Sequence, residues 1–289
     1  LRIAIAIATA GRQAILAEVV GDIGLQTRLP DRILVCYSSP DDVLGLENAA
    51  GLEVMVGPVG LAGKRNVLLD AAFDCDIVLF IDDDFMMAAG YIASTLQVMQ
   101  VNPDVVVTTG HVIADGAKGP GLDATRGRDF LLSDRDASDA TVMVDVHNGY
   151  GCNMAVRMST VRDTKIRFDE HLPLYGWYED IDFTRRLGRN GRMVLVRAAR
   201  GVHLGTKSGR TSGRRLGYSQ VVNPIYLARK GSYDWSRALK SIGRNLLANC
   251  ARSLYPEPYV DRYGRLGGNI RGLFEVMIGT ADPERILKL

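Results

Sequence analysis

The chain has 289 residues, 47% of them hydrophobic and 24% charged, which is ordinary for a soluble globular protein and long enough to bury a full core. No apolar run approaches the roughly 18–20 residues that cross a bilayer, which excludes a membrane-spanning helix. The four cysteines (Cys36, Cys75, Cys152, Cys250) form no C-x-x-C pair, so neither a zinc site nor a disulfide framework is indicated.

The net charge of +2 conceals a split. Residues 1–184 hold 27 acidic and 14 basic side chains; residues 185–289 hold 6 and 21. The C-terminal part therefore suits an anion, whether phosphate, an anionic membrane surface or nucleic acid, or it pairs with its own acidic half. Leu1 opens directly on a strand pattern without a charged leader or cleavage site, so no secretion signal is read and a reducing cytoplasm is expected.

In chain order, Ile3 to Ala8 reads as a buried strand, Thr9 to Arg12 as a turn and Gln13 to Val20 as a helix. Ile33 to Tyr37 is a second strand, ending in Ser38-Ser39-Pro40-Asp41-Asp42, and Leu52 to Val56 is a third. A Gly/Pro loop over 57–63 leads into a helix at Lys64 to Phe73. Ile77 to Ile81 is an unbroken apolar run, the pattern of a strand buried on both faces. Tyr91 to Gln100 is a helix and Val105 to Thr109 a strand. Strands alternating with helices predict a doubly wound, mostly parallel α/β sheet with helices on both faces.

Further on, Lys118 to Asp139 reads as a mobile excursion and Val142 to Val146 as a strand. Gly149 to Arg157 is a turn entering a strand, and Glu179 opens a helix that runs through Leu187. Met193 to Arg197 and Val202 to Leu204 are expected as two short strands. Gly205 to Gly217, with four glycines and four basic residues, is expected to be a flexible loop. Helices at Trp235 to Leu254 and Asn269 to Met277 complete the chain.

The run from Ile77 delivers three carboxylates, Asp82, Asp83 and Asp84, to the carboxyl end of a buried strand, where open α/β sheets bind ligands. Adjacent like charges at the mouth of an apolar core repel and lose hydration. A divalent cation relieves both, and Mg²⁺ or Mn²⁺ prefers carboxylate and phosphate oxygens. A solvated acidic turn is the plainer explanation of the same residues. The glycines at 57, 60 and 63 before Lys64 imitate a phosphate loop, but Arg65 stands where Ser or Thr is required. No dinucleotide fingerprint follows the first strand, and His111, His147 and His171 have no metal-ligand spacing.

Thr9-Ala10-Gly11-Arg12, Asp41-Asp42, Lys64-Arg65-Asn66, Asp82-Asp83-Asp84, Gly149 to Arg157, Trp177-Tyr178-Glu179-Asp180 and His203 together resemble the family 2 glycosyltransferases of the GT-A fold. The resemblance covers roughly residues 3–205. It implies a glycosyltransferase domain over 1–230, with a nucleotide-sugar half (1–110) and an acceptor half (111–230), and a basic helical extension over 231–289. It implies that Asp82 and Asp84 bind Mn²⁺ or Mg²⁺, with His203 as a further ligand and Asp83 by the ribose or sugar. Thr9, Ala10, Arg12, Lys64 and Arg65 are expected along the donor nucleotide, with Asp41 or Asp42 at the base. Asp180 is expected as general base beside Glu179, and Gly149, Tyr150, Trp177 and Tyr178 toward the acceptor.

The resemblance further implies an inverting transfer of sugar from a nucleotide-diphosphate sugar, expected to be a UDP-sugar, to a hydroxyl of a glycan or polyprenyl-linked acceptor. It is nearest to bacterial exopolysaccharide-assembly members, which work at the cytoplasmic face of the membrane. Lys207, Arg210, Arg214 and Arg215 of the basic loop are read as closing on the diphosphate. The basic amphipathic helix at 235–254 suits peripheral contact with an anionic membrane, or a helical cap on the core. A nucleotidyltransferase is the alternative enzyme class and an inactive sugar-nucleotide or polysaccharide-binding module the non-enzyme one. Nucleic acid is not expected as a partner, since the basic half lacks a recognition motif.

Overall fold

The computed structural model describes residues 1–46, 51–134, 142–208 and 212–289. Its elements run β1 (Ile3–Ala8), α1 (Gln13–Ile23), β2 (Arg32–Tyr37), β3 (Leu52–Val56), α2 (Leu61–Ala71), β4 (Ile77–Asp82), β5 (Phe85–Met87), α3 (Tyr91–Val101) and β6 (Val105–Asp115). They continue with α4 (Ala124–Ser133), β7 (Met143–Asp145), β8 (Asn153–Arg157), α5 (Met158–Thr164), α6 (Glu179–Leu187), β9 (Arg192–His203), α7 (Gly213–Lys230), α8 (Trp235–Arg252) and α9 (Arg262–Met277).

Among the described residues, nine strands form one sheet in the order β3-β2-β1-β4-β8-β6-β9-β5, with β7 also on β9. The half from β3 to β4 is parallel throughout. β8 enters antiparallel between β4 and β6, and β6 and β9 are again parallel. The expected α/β architecture, a sheet flanked by helices, is what the chain adopts. Ile77 to Ile81 is wholly buried, as a continuous apolar run at the centre of a sheet requires.

Two registers place the chemistry. In the parallel half, Ala8 stands opposite both Cys36 and Asp82, so the turns after β1, β2 and β4 leave one edge of the sheet together. After Asp82 the chain turns through Asp83 and Asp84 into β5, which runs antiparallel to β9 with Phe85 opposite His203. Gly201 permits this approach: a Cβ there would lie 2.3 Å from the Phe85 ring.

Three expectations are corrected. The two short strands at 193–197 and 202–204 are one strand, β9, because β6 and β7 pair along it and shifts of register at Gly110/His111 and Val112/Ala114 absorb the irregular middle. The excursion at 118–139 contains α4, capped by the Asp123 side chain accepting from the Arg126 N–H. The loop at 205–217 ends at Gly213, where α7 begins behind a Ser212 cap. Gly213 and Gly217 are packing residues: a Cβ on Gly217 would fall 2.0 Å from the Arg265 carbonyl oxygen, and one on Gly268 of α9 as close to that of Arg214.

The chain forms two compact units. One comprises Leu1–Val59, Gly63–Arg167 and Phe183–Gly209, and holds the sheet and its main core. The other comprises Gly60–Ala62, Phe168–Asp182 and Arg210–Leu289. Here α7 packs with α8 and α9 around Val221, Ile225 and Ile242, and Tyr218 and Val222 meet Ile286. In this second unit α7 and the segment before α6 group with the C-terminal helices. Among the described residues, no helix is long and apolar enough to cross a membrane.

Candidate active site

Asp82, Asp84 and His203 converge at the carboxyl end of β4. One ligand atom from each lies within 4.8 Å of the others. The His203 Nε2 is 3.4 Å from Asp84 Oδ1 and 3.8 Å from Asp82 Oδ2. Asp84 Oδ1 is buried without a hydrogen bond, although that ring stands beside it. Two hard carboxylate oxygens and one imidazole suit a divalent cation such as Mn²⁺ or Mg²⁺, so these residues fit the metal expected from the sequence.

The β6–β9 register sets Asp115 opposite His203, and Asp115 Oδ1 lies 2.9 Å from His203 Nδ1. Asp115 also accepts from the Ala117 N–H at 3.0 Å and the Tyr150 hydroxyl at 3.3 Å. Its bond to Nδ1 leaves Nε2 to face the acids. Tyr150 stands edge-on to the His203 ring at 6.0 Å. Asp115 was not among the sequence candidates. Locally it is one aspartate before a glycine, and only the pairing of two distant strands reveals its partner.

Asp83 points to the β1 side. The Thr9 hydroxyl donates to its Oδ2 and Arg12 Nη1 to its Oδ1, both at 2.8 Å. Burial pushes the Asp83 carboxyl up to about 6, against the opposing charge of Arg12 and with help from Asp84. Asp84 goes the other way. Burial alone would raise it, but His203, Arg12 and the Thr206 N–H together hold it well below the usual carboxylate range. Burial would likewise lower His203, yet its bond to Asp115 and the negative charge of Asp84 and Asp82 outweigh that and lift it to about 10.

Arg12 ties the segment after β9 to the cluster. Its Nε donates to the Ser208 carbonyl at 2.9 Å and its Nη2 to that of Thr206 at 3.2 Å, while the Thr206 N–H donates to Asp84 Oδ2 at 2.7 Å. Lys207 donates to the carbonyls of Gly116 and Ala117. Arg65 is buried, with Nη2 donating to Asp82 Oδ1 at 3.1 Å and to the Gly151 carbonyl at 2.6 Å. Lys64 is buried too, its Nζ on the Thr9 carbonyl, and burial lowers its pKa despite Asp42. Asp42 accepts from the backbone N–H of Gly11 and Ser39, joining the turns after β1 and β2, whereas Asp41 and Ala10 are exposed. Gly149 is buried, its N–H on the Thr184 hydroxyl at 3.1 Å.

Within the second unit, α6 starts behind an irregular segment. Leu174, Gly176 and Tyr178 all have positive φ (60°, 62° and 75°), and two of these are side-chain-bearing residues. Within the segment Trp177 stacks on Tyr178, and from outside Asn223 Nδ2 donates to the Trp177 carbonyl and Ser241 Oγ lies 2.5 Å from Tyr178 Oη. Glu179 is buried and Asp180 half-buried, with Asp180 Oδ1 accepting from the Ile181 N–H. Arg214 is exposed in the first turn of α7, and Arg215 Nε donates to the Leu289 carbonyl at 2.9 Å. Arg210 lies outside the described residues.

No protein-family model matches the sequence. No curated protein matches it. Solved structures do. S. aureus TarS (residues 1–349) in complex with UDP-GlcNAc is 16% identical, with 99% of this chain and 83% of that one covered and a TM-score of 0.57. The mannosyltransferase PcManGT from Pyrobaculum calidifontis, in complex with GDP-Man and Mn²⁺, is 14% identical over 95% of this chain and 87% of that one, at 0.58. GalNAc-T7 with UDP, GalNAc and Mn²⁺ is 13% identical over 97% and 57%, at 0.59. At such identities the likeness is one of fold, and the fold of this chain is the mixed α/β GT-A type of glycosyltransferases.

Proposed function

We propose that the chain is an inverting, metal-dependent glycosyltransferase of the family 2 type, acting on a nucleotide-diphosphate sugar and a hydroxyl of a glycan or lipid-linked glycan. The observation that carries this is the convergence of Asp82, Asp84 and His203 at the end of β4, beside an Asp83 fixed by Thr9 and Arg12. The fold's other bearers bind UDP-GlcNAc, GDP-Man and Mn²⁺, which supports a sugar nucleotide as donor.

Asp82, Asp84 and His203 would hold Mn²⁺ or Mg²⁺, which supplies Lewis acidity toward a diphosphate. Asp83, locked in one orientation, accepts from donor hydroxyls, and Arg12 offsets the crowded negative charge around it. Arg65 holds Asp82 from within the core, and Lys64 the turn after β1. Asp41 stands nearest to solvent for contact with the base. Asp180 takes the proton of the acceptor hydroxyl as its oxygen bonds to the anomeric carbon and the bond to the diphosphate breaks. Lys207, Arg210, Arg214 and Arg215 offset the charge of the departing group. Tyr150, Trp177 and Tyr178 offer rings to the acceptor, and Glu179 positions Asp180. The acceptor is read as lipid-linked, at the cytoplasmic face of a membrane, as in exopolysaccharide assembly.

The test is calorimetry with UDP-GlcNAc and GDP-mannose, in Mn²⁺ and in excess EDTA, followed by product analysis with added acceptor glycans. Metal-dependent donor binding and release of nucleoside diphosphate are expected. Equal affinity in EDTA removes the metal role of Asp82 and Asp84, and pyrophosphate as product makes the enzyme a nucleotidyltransferase.

A further inference from the structure

The second unit carries an unusual share of exposed large apolar side chains. Of 27 such residues among those described, 12 lie between Trp235 and Leu287. They are ordered. At about 100° per residue, Trp235, Leu239, Leu246 and Cys250 fall in one narrow sector of α8. All but the half-buried Leu246 are exposed. Leu247 lies about 60° beyond this sector, and Ala238, Ser241, Ile242 and Asn249 form the buried side that adjoins Trp235.

On α9 the exposed residues Tyr263, Gly267, Ile270, Phe274 and Met277 recur at steps of four and three, which lines them up along one face. The other face of α9 carries Gly268 and Gly272, set tightly against α7. The stripe on α9 is therefore turned away from its neighbour within the unit.

Charge tells what covers these stripes. Within α8 there are four basic residues and no acid. Arg237 leans on Asp234 and Arg252 on Glu257, but Lys240 and Arg244 have no carboxylate partner among the described residues. By helical geometry Lys240 stands about 20° and Arg244 about 60° beyond Leu247, a cationic rim on that side of the exposed apolar residues. The same two helices of a second copy would meet this rim with nothing complementary, since the one acid of α9, Glu275, is buried and bonded to Tyr218 and Arg271. Nucleic acid would waste the apolar face. Aromatic residues mark the ends of both stripes: Trp235 opens α8, and Tyr255, Tyr259 and Tyr263 are exposed where α8 gives way to α9. Apolar stripe, cationic rim and amphipathic rings at the margins are what a helix lying in the headgroup layer presents.

We infer that α8 and α9 form a docking surface for an anionic lipid bilayer, lying on the membrane rather than crossing it. This surface stands independently of the transfer chemistry, because none of its residues belongs to the candidate site.

The test is co-sedimentation of the whole chain with vesicles of phosphatidylcholine alone or mixed with phosphatidylglycerol, with no donor or metal present. Binding to the mixed vesicles, weakened by salt, is expected. Lys240→Glu/Arg244→Glu should cost at least about thirtyfold in partitioning, the worth of two basic contacts, with repulsion of the new acids on top, and Ile270→Ser/Phe274→Ser should abolish it, with unchanged thermal transitions showing that both variants fold. Equal binding of wild type and the charge-reversed variant to mixed vesicles overturns the inference. So does a wild type that ignores vesicles, whether it sediments as a monomer or as a dimer dissolved by the apolar variant. Donor binding measured separately keeps a failure here distinct from a failure of the glycosyltransferase assignment.

Discussion

Replacing Asp115 by Asn tests whether the candidate metal centre is built as two layers. Asp115 touches no cation in this scheme. It holds His203 through the 2.9 Å contact to Nδ1, and the ring's other nitrogen faces Asp84 at 3.4 Å. An amide in its place can present its N–H₂ to the ring and favour the wrong tautomer, with a proton on Nε2. Outer partners of this kind are worth about 10–100-fold in metal affinity, which is about 1.4–2.7 kcal/mol. The Tyr150 hydroxyl can still bond an amide at position 115, so the ring should stay near its place and the loss should fall within that range. Mn²⁺ binding read by electron paramagnetic resonance of the free ion would measure it, with a thermal transition as control for folding. The decisive comparison is a cycle with His203→Ala. If Asp115 works through the ring, Asp115→Asn should add almost nothing in the His203→Ala background. Wild-type affinity in Asp115→Asn, or a loss that persists without His203, refutes the reasoning.

Two further outcomes are expected. Asp180→Asn should lower turnover by about two to four orders of magnitude while calorimetric donor affinity is kept; an active variant would remove Asp180 from the chemistry. Gly217→Ala would put a methyl 2.0 Å from the Arg265 carbonyl oxygen. It should cost ~1–3 kcal/mol in urea unfolding, and an unchanged midpoint would contradict the close contact of α7 with α9.

Much of this was legible in the residues. A continuous Val/Ile/Leu/Phe run identifies β4 and an Ile/Ala alternation β1, because burial on both faces leaves no room for polar residues, and the bounds of β3, Leu52 to Val56, are those expected. The acids after β4 were visible as candidate ligands because their crowding has few tolerable explanations. What escaped was of two kinds. The glycines at 213 and 217 look locally like chain flexibility, yet they are there for the close approach of a second helix whose backbone lies some fifty residues on. The same holds for Gly127, inside α4, where a Cβ would strike Leu204 and Met86. Asp115 escaped for a related reason: its partner is set by the pairing of β6 with β9, and pairing between distant strands leaves no local mark. Arg65 illustrates a third limit, since composition cannot tell a guanidinium aimed at solvent from one buried under Asp82.

The turn from β4 into β5 has a bearing on how the molecule comes together. Asp82 and Asp84 are neighbours in the chain at every stage of folding, but His203 joins them only when β9 closes beside β5, more than a hundred residues downstream. An unfolded chain thus offers an ion two carboxylates, and the native chain a nitrogen as well. Whatever cation prefers the full set shifts the equilibrium toward the closed sheet by mass action. Ion supply would then favour the state in which β9 is paired with β5 over any state in which that pairing is open.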